Sequence, residues 1–168
     1  MSNAEKQIDL AWTLFKTAKY AEAVDILSSV IATDAKIPSA YSKRARCYHR
    51  MGSLDQALAD LSRAIDLSAE NAAYYFTRGR YYFEKGEFHK SHSDFSTVLS
   101  LEEGKAEQPF RESALFFRAE VNCKLEHFED ALEDCSKVRK DFSLHVSGCM
   151  RTKSEIINHA LAGLKNKK

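Results

Sequence analysis

Three pairs of cysteine and histidine residues have the spacing that places two metal ligands on one face of a helix. A structural zinc site needs four such ligands that converge on one point. These pairs fall at unrelated positions of the sequence pattern described below, so we expect separate thiols and imidazoles, and no metal or other cofactor. The pairs are Cys123 and His127, His145 and Cys149, and His89 and His92.

A catalytic nucleophile is the next possibility, because the chain has four cysteines. A reactive cysteine needs a neighbouring base and donors for the anion that forms. Cys135 occupies a position where related segments carry Leu61 and Phe95, which favours a small core residue. The sequence has neither a glycine-rich phosphate loop nor a Gly-x-Ser-x-Gly motif. We therefore expect that the protein is not an enzyme.

Composition narrows the classes of partner. The chain has 44% hydrophobic and 29% charged residues, which is ordinary for a globular domain, and a net charge of +1. These totals favour neither a nucleic acid nor a membrane partner. No apolar run approaches the roughly 18 residues of a membrane span, and the N-terminus lacks the apolar core of a signal peptide. With cysteines that are not paired as Cys-x-x-Cys, we expect free thiols and a cytoplasmic protein.

A binding surface is the remaining possibility, and one helix indicates where it lies. Tyr41, Ala45 and Tyr48 are spaced i, i+4, i+7, so they share one face that packs inward. One residue further along, the helix has turned by about 100°. The neighbouring stripe consists of Ser42, Arg46 and His49, with Lys43 and Arg50 beside it.

The elements that position this stripe recur along the chain. Met51–Leu67 aligns residue by residue with Lys85–Leu101, and Gly52 matches Gly86, a shift of 86 − 52 = 34. The upstream tyrosines recur with the same shift, and Gly79 takes the small position between them. A small residue between two aromatic residues lets a second helix come close. A period of this length indicates an array of helical repeats.

The pattern resembles the tetratricopeptide repeat, in which two helices are joined by a short turn. The resemblance implies an all-α fold, a right-handed superhelical array of helix-turn-helix units. Arg44 and Arg78 depart from the family pattern, because they replace a preferred Leu. The large, small, tyrosine and second small positions of the family are filled in one copy by Tyr41, Ala45, Tyr48 and Ala57.

We expect one domain of four repeats and a capping helix, with nine helices and no strands. The fourth repeat is displaced, since 131 − 91 = 40, and this places six extra residues in the Glu102–Glu112 loop. The cap would cover the open end of the array, as repeat proteins require. The predicted repeats cover about 4–37, 38–71, 72–105 and 112–145, and the cap covers about 146–164.

In the tetratricopeptide family the stripe beside the packed face lines a concave groove that holds peptides. The resemblance therefore implies a non-catalytic adaptor for a protein segment, acidic with an apolar anchor, because arginine pairs well with carboxylates. The alternative is that the aromatic residues only pack between helices and the cations are solvated. The candidate groove residues are Trp12, Lys43, Arg46, His49, Arg50, Phe76, Arg80, Phe83, Phe116 and Glu120.

The family's two-carboxylate clamp for chaperone tails is absent from both possible registers. Its Lys, Asn, Asn, Lys and Arg are replaced, so we expect no specific binding of such tails. Other readings stay open: an assembly component that self-associates as a weak homodimer, a co-chaperone without the usual clamp, or a catalytic or lipid-handling domain. The clamp positions hold Ile8, Trp12, Lys43, Ala73 and Thr77, or, one repeat later, Ser42, Arg46, Thr77, Ser113 and Phe117.

Overall fold

The computed structural model describes residues 2–146 and 149–166, without the side chains of His145, Val146 and Cys149. Its contacts divide the chain into two compact units, Met1–Tyr74 and Tyr75–Lys168. The described part consists of helices and one short hairpin. In chain order the elements are α1 (Asn3–Lys16), α2 (Tyr20–Thr33), α3 (Pro38–Arg50), α4 (Leu54–Leu67), α5 (Ala72–Lys85), α6 (Phe88–Glu102), α7 (Arg111–Lys124), α8 (Phe128–Ser136), β1 (Ser143–Val146), β2 (Cys149–Thr152) and α9 (Lys153–Asn166).

The first eight helices form four pairs, which confirms the predicted all-α repeat fold. Helix starts follow local sequence signals. Ser2 and Glu5 form a capping box, Pro38 opens α3, and the Asn71 side chain accepts a hydrogen bond from the Ala73 amide at 3.1 Å.

The tight turn inside each pair needs a left-handed residue. Gly52 and Gly86 supply it in the second and third pairs, with φ of 78° and 80°. At the matching positions of the first and fourth pairs, Ala18 and Glu126 adopt φ of 61° and 60°. These two residues accept a conformation that glycine adopts without steric cost.

Where the two helices of a pair cross, a small residue of the first helix, at position i, meets a residue of the second helix at position i+16. At Gly79 an added Cβ would lie 3.1 Å from Cε1 of Phe95, so an alanine there would press against the large ring. Where the partner is smaller, the small residue is alanine. The four pairs of positions, all buried, are Ala11 with Leu27, Ala45 with Leu61, Gly79 with Phe95, and Ala119 with Cys135.

An ion pair between a buried aspartate and a partly buried arginine joins the two helices of the second, third and fourth repeats. Arg44 bonds Asp60 through two hydrogen bonds of 2.8 Å, one from Nε and one from a terminal nitrogen. The same two-bond geometry recurs in the later repeats, again between positions i and i+16. The pairs are Arg44–Asp60, Arg78–Asp94 and Arg118–Asp134.

Arg44 and Arg118 also reach the preceding repeat. Arg44 donates to Oγ of Ser28 on α2 at 3.0 Å, and Arg118 donates to Oγ of Ser96 on α6 at 3.1 Å. The hydrogen bond to Asp60 raises the pKa of Arg44. Arg44 is thus a structural residue of the repeat. The replacement of the family's Leu by Arg44 did not by itself predict this ion pair.

The C-terminal region differs from the prediction. β1 and β2, which we call the hairpin, pair antiparallel with Ser143 opposite Thr152, so the expectation of no strands was wrong. The capping helix α9 packs on α7 and α8 but begins at Lys153, not at 146. Its small residue Ala160 follows Ala119 with a difference of 160 − 119 = 41, which exceeds the repeat period by seven. Seven residues are about two helical turns, so the apolar residues of the hairpin have the spacing expected of a helix. The sequence pattern therefore did not reveal the two strands.

Candidate functional site

Trp12 and Phe15 form an aromatic stack on α1, with ring centroids 4.8 Å apart and planes 4° from parallel. Two cations of α3 lie on this stack. Nζ of Lys43 is 4.5 Å from the Trp12 ring centroid, and Cζ of Arg46 is 4.7 Å from it and 5.7 Å from the Phe15 ring centroid. We call Trp12, Phe15, Lys43 and Arg46 the Trp12 cluster.

The two cations of the Trp12 cluster form no ion pair among the described residues, although the charge of Asp9 acts on Lys43. Within the described residues, neither the Lys43 nor the Arg46 side chain makes an ion pair or a hydrogen bond. Burial lowers the pKa of Lys43, the neighbouring Arg46 and Lys16 lower it further, and Asp9 opposes them. Positive charge is therefore crowded beside a half-buried indole, and an incoming anion would relieve that crowding.

Arg50 extends this surface along α3. Its Nε donates to the Tyr20 hydroxyl at 3.2 Å, and its guanidinium lies 5.6 Å from the Tyr20 ring centroid. The Tyr20 ring is in turn 5.5 Å from Phe15. His49 is half-buried on the same helix. The first unit therefore brings together four of the predicted site residues, Trp12, Lys43, Arg46 and Arg50, on one aromatic base.

The second unit carries a smaller surface of the same kind. Arg80 is exposed, with its guanidinium 5.5 Å from the Phe117 ring centroid. Phe76 is half-buried, and its ring lies 6.0 Å from Phe117 and 5.2 Å from Phe110. Phe83 is buried, and its ring centroid lies 6.2 Å from that of Phe117, so it packs behind this surface and is not exposed on it.

Two predicted groove residues of the fourth repeat belong to the core of the second unit. Phe116 is 0% exposed and packs against Phe142, at 5.5 Å between ring centroids. Glu120 is 4% exposed and pairs with Arg151 of β2 at 3.0 Å. The unpredicted hairpin and the residue before it cover this stretch of α7, so neither residue is open to a ligand.

The cysteines behave as core residues. Cys47, Cys123 and Cys135 are buried free thiols, and burial raises their pKa to about 11, 12 and 11 respectively. Such thiols are poor nucleophiles at neutral pH. The side chains of the His145–Cys149 pair lie outside the described residues. Among the side chains that the structure describes, no three His, Cys, Asp or Glu residues are grouped to hold a metal ion, and no helix is long and apolar enough to cross a membrane.

Comparison with known proteins agrees with the helix pairs. A sequence model of the TPR repeat matches residues 46–86, which run from α3 to the turn after α5. This match agrees with the predicted resemblance to the tetratricopeptide repeat in that segment. Hsp70-Hsp90 organizing protein 2 of Arabidopsis thaliana is 40% identical over 53 residues, which are 32% of this chain and 9% of that protein. The matched segments span about a tenth of the length of such relatives.

Solved structures resemble the fold over more of the chain. A repeat protein from Parabacteroides merdae has a TM-score of 0.78 with 19% identity, covering 97% of this chain and 60% of that one. The Yersinia enterocolitica secretion chaperone SycD, solved with a peptide of the translocator YopD, has a TM-score of 0.66 with 19% identity. That match covers 72% of this chain and 93% of SycD.

Some residues that shape these repeats were not singled out from the sequence. The Arg–Asp pairs had a signal, because an arginine at position i is followed by an aspartate at i+16 in three successive repeats. Tyr20, which contacts Arg50, had no such signal, because the sequence pattern places it in a turn, whereas in the structure it is the first residue of α2. Arg151 was assigned to a helix, and a partner on β2 could not be inferred for Glu120.

Proposed function

We propose that the chain is a non-catalytic protein-interaction module that holds an acidic segment of a partner protein against the Trp12 cluster. The observation that carries the proposal is that two cations, Lys43 and Arg46, lie on the stacked rings of Trp12 and Phe15 and form no ion pair among the described residues. Cations without acidic partners beside a partly buried aromatic surface are the combination that interfaces favour, because aromatic and arginine side chains carry much of the binding energy.

The geometry suits carboxylates in particular. A guanidinium that lies over a ring uses its face for the aromatic contact, and its N–H donors, which lie in its own plane, stay available for a carboxylate. Arg46 is exposed, so its donors face solvent. The half-buried indole of Trp12 would receive an apolar side chain of the same segment. Arg80 over Phe117, in the second unit, has the same arrangement of cation and ring and by itself would bind an acidic residue in the same manner.

The named relatives support a binding role without naming the partner. One is called an organizing protein for Hsp70 and Hsp90, and another structure contains a bound peptide. A co-chaperone role is therefore the second candidate. Against it, Ile8, which takes the first position of the expected clamp, is buried in the core of the first unit. The expectations of a cytoplasmic location and of a monomer or weak homodimer stay predictions, and light scattering would test the second.

The test is a charge reversal. Fluorescence anisotropy would measure binding of labelled peptides that combine several Asp or Glu residues with one Leu, Met or Phe. We expect binding that weakens with salt, because the Debye length falls from about 10 Å at 0.1 M to about 3 Å at 1 M. Lys43→Glu with Arg46→Glu should abolish it, since like charges in contact cost several kcal/mol. The melting temperature should stay close to wild type.

The matched control is Lys6→Glu with Lys36→Glu, two exposed lysines of the first unit, which should leave binding nearly unchanged. If the Lys43/Arg46 double variant binds as well as wild type, the Trp12 cluster is not the site. Each peptide is also tested with its C-terminus amidated. Binding that needs the free C-terminal carboxylate would favour the co-chaperone role over the one proposed.

A further inference from the structure

Arg50 lies outside the Trp12 cluster and is held in place by a different aromatic residue. Its Nε donates to the Tyr20 hydroxyl at 3.2 Å, and its guanidinium lies 5.6 Å from the Tyr20 ring centroid. This hydrogen bond occupies one of the five N–H donors of the guanidinium, and Arg50 is exposed, so the other donors can reach a ligand. Among the described residues Arg50 makes no ion pair. The first unit therefore presents a second oriented guanidinium without an acidic partner.

The two guanidiniums lie over one continuous row of aromatic rings. The Phe15 ring is stacked on Trp12 at 4.8 Å and lies 5.5 Å from the Tyr20 ring. Arg46 contacts the Trp12 end of this row, and Arg50 contacts the Tyr20 end. Each arginine is thus oriented by a ring before any ligand is present, which reduces the conformational entropy lost on binding.

The spacing of the two arginines selects among acidic segments. They are four residues apart on α3, so their Cα atoms are separated by about 6 Å along the helix axis, which is 4 × 1.5 Å. In an extended segment, residues i and i+2 point to the same side and are about 6.6 Å apart, which is 2 × 3.3 Å. Two acidic residues with one residue between them therefore match Arg46 and Arg50. Adjacent acidic residues point to opposite sides of an extended segment and do not match.

A helical ligand would match the distance as well, since residues i and i+4 of a helix are also about 6 Å apart. Two like charges at this spacing destabilise a helix, and a short helix is only marginally stable in water. An extended segment makes both contacts with three residues and has neither cost. The observations therefore favour an extended ligand.

The other repeats do not carry a second arginine at this position. The residue that matches Arg50 is Lys16 in the first repeat, Glu84 in the third and Lys124 in the fourth. In the third repeat Glu84 follows Arg80 by four residues, so a second ligand carboxylate would meet a like charge there. The two arginines are therefore a feature of the second repeat, and they distinguish the surface of the first unit from the one around Arg80.

We propose that the segment bound by the first unit carries two acidic residues with one residue between them, as in Glu-x-Glu or Asp-x-Asp, and that it binds in extended form. One carboxylate accepts hydrogen bonds from Arg46 beside the charge of Lys43, and the other accepts from the remaining donors of Arg50. This inference rests on the proposed function, because it assumes that the Trp12 cluster binds an acidic segment. It adds the spacing of the acidic residues and assigns Arg50 as the residue that selects this spacing.

The test is a set of labelled peptides with the same length and the same charge. Each contains one Leu and two Glu residues among Gly and Ser residues, and the two Glu residues are adjacent or have one or three residues between them. Fluorescence anisotropy at low salt measures Kd. We expect Glu-x-Glu to bind about tenfold more tightly than adjacent Glu residues, because it alone contacts both arginines in extended form. Equal or tighter binding with three intervening residues would indicate a helical ligand and overturn the proposal.

Variants locate the second contact. Arg50→Gln should remove the tenfold preference and leave the peptide with adjacent Glu residues nearly unaffected, because that peptide contacts only the Trp12 cluster. Tyr20→Phe keeps the ring but removes the hydroxyl that accepts from Arg50, and it should reduce the preference by a smaller factor. The matched control is Arg63→Gln, at another exposed arginine of the first unit, which should keep the full preference.

Failure of this inference can be told apart from failure of the proposed function. If no acidic peptide binds, or if Lys43→Glu with Arg46→Glu leaves binding unchanged, the proposed function fails and this inference fails with it. If the peptides bind through the Trp12 cluster without a preference for Glu-x-Glu, or if Arg50→Gln keeps that preference, only this inference is wrong.

Discussion

Arg44 and Arg46 are two residues apart on α3 and have opposite surroundings. Arg44 makes two hydrogen bonds of 2.8 Å to Asp60, and the rings of Tyr41 and Tyr48 flank its guanidinium at 5.7 and 5.8 Å. Arg46 is exposed over Trp12 and has no acidic partner among the described residues. Because the helix turns by about 100° per residue, two positions separate a face that packs against α4 from a face that meets α1 and solvent.

The same type of side chain thus has two roles, a structural one at Arg44 and a candidate binding one at Arg46. The cost of desolvating a buried ion pair offsets much of its Coulomb attraction. Such a pair therefore contributes more to the choice of packing partners than to stability. An exposed cation contributes little to stability, typically about 0–1 kcal/mol, and can be left unpaired at low cost. Mutations in the Arg–Asp pairs should therefore change folding, and mutations in the Trp12 cluster should change binding.

The largest expected effect is the loss of one partner of a buried pair. Asp60→Ala leaves the partly buried Arg44 guanidinium without its carboxylate, and we expect the free energy of unfolding to fall by up to about 3–5 kcal/mol. Urea denaturation followed by circular dichroism measures this change. Binding of acidic peptides, measured below the transition, should stay near the wild-type level because the Trp12 cluster is intact.

The first repeat provides the control for this variant. It carries Leu10 and Ile26 where the second carries Arg44 and Asp60. The double replacement Arg44→Leu with Asp60→Ile should therefore recover most of the stability that Asp60→Ala loses, since apolar residues of similar volume often replace a buried ion pair without loss. A double variant less stable than Asp60→Ala would mean that the pair itself, and not the unpaired charge, determines the cost.

The next effect disturbs the same paired region without changing a charge. A Cβ at Gly79 would lie 3.1 Å from Phe95 and 3.2 Å from Cβ of Asp94, the partner of Arg78. Gly79→Leu should overpack this crossing and cost roughly 1–3 kcal/mol or more. For Gly79→Ala, the close contact should offset the gain in helix propensity, which is about 1 kcal/mol, so a small net change in stability is expected.

A second-site change tests the cause. Gly79→Ala with Phe95→Leu rebuilds the Ala45–Leu61 combination of the second repeat, and it should relieve the contact at the cost of a smaller core side chain. Thermal unfolding of the three variants separates these terms. Should Gly79→Leu melt with wild type, the crossing would be looser than its distances indicate.

Much of the fold could be predicted from the sequence because its period is regular. The constant shift between repeats, 86 − 52 = 34, and the small positions at Ala45 and Gly79 are enough to predict the helix pairs. The hairpin at residues 143–152 could not be predicted, because its apolar residues continue the helical pattern at a spacing of seven. Hydrophobic periodicity alone does not separate two helical turns from a short pair of strands.

The candidate site was predictable to a smaller degree. A helix-face argument predicts that Arg46 and Lys43 are near an aromatic surface, since it depends only on phase within α3. It does not predict which arginines have acidic partners, because Asp60 and Asp94 lie on other helices. For Phe116 and Glu120 the argument predicted an open face, and the hairpin that covers them is a tertiary feature.

The smallest effect concerns the ionisation of Lys43, and it tests whether the cations of the Trp12 cluster are crowded. The pKa of Lys43 lies below its ordinary value of 10.5 because of burial and then because of Arg46 and Lys16, against the opposing charge of Asp9. Between the lowered pKa and 10.5 the unfolded chain holds more protons, so the Lys43 contribution to unfolding free energy should rise with pH in that window. The ¹³Cε chemical shift of Lys43 reports its titration directly.

Three changes test the cause of the lowered pKa of Lys43. We expect Arg46→Gln to raise this pKa, Asp9→Asn to lower it further, and a bound acidic peptide to raise it, because each changes the local charge in that direction. Ser42→Ala, which changes no charge, is the control and should leave the pKa of Lys43 unchanged. If Arg46→Gln left the pKa unchanged, Lys43 and Arg46 would not repel each other, and the main reason to expect an anion at this surface would be lost.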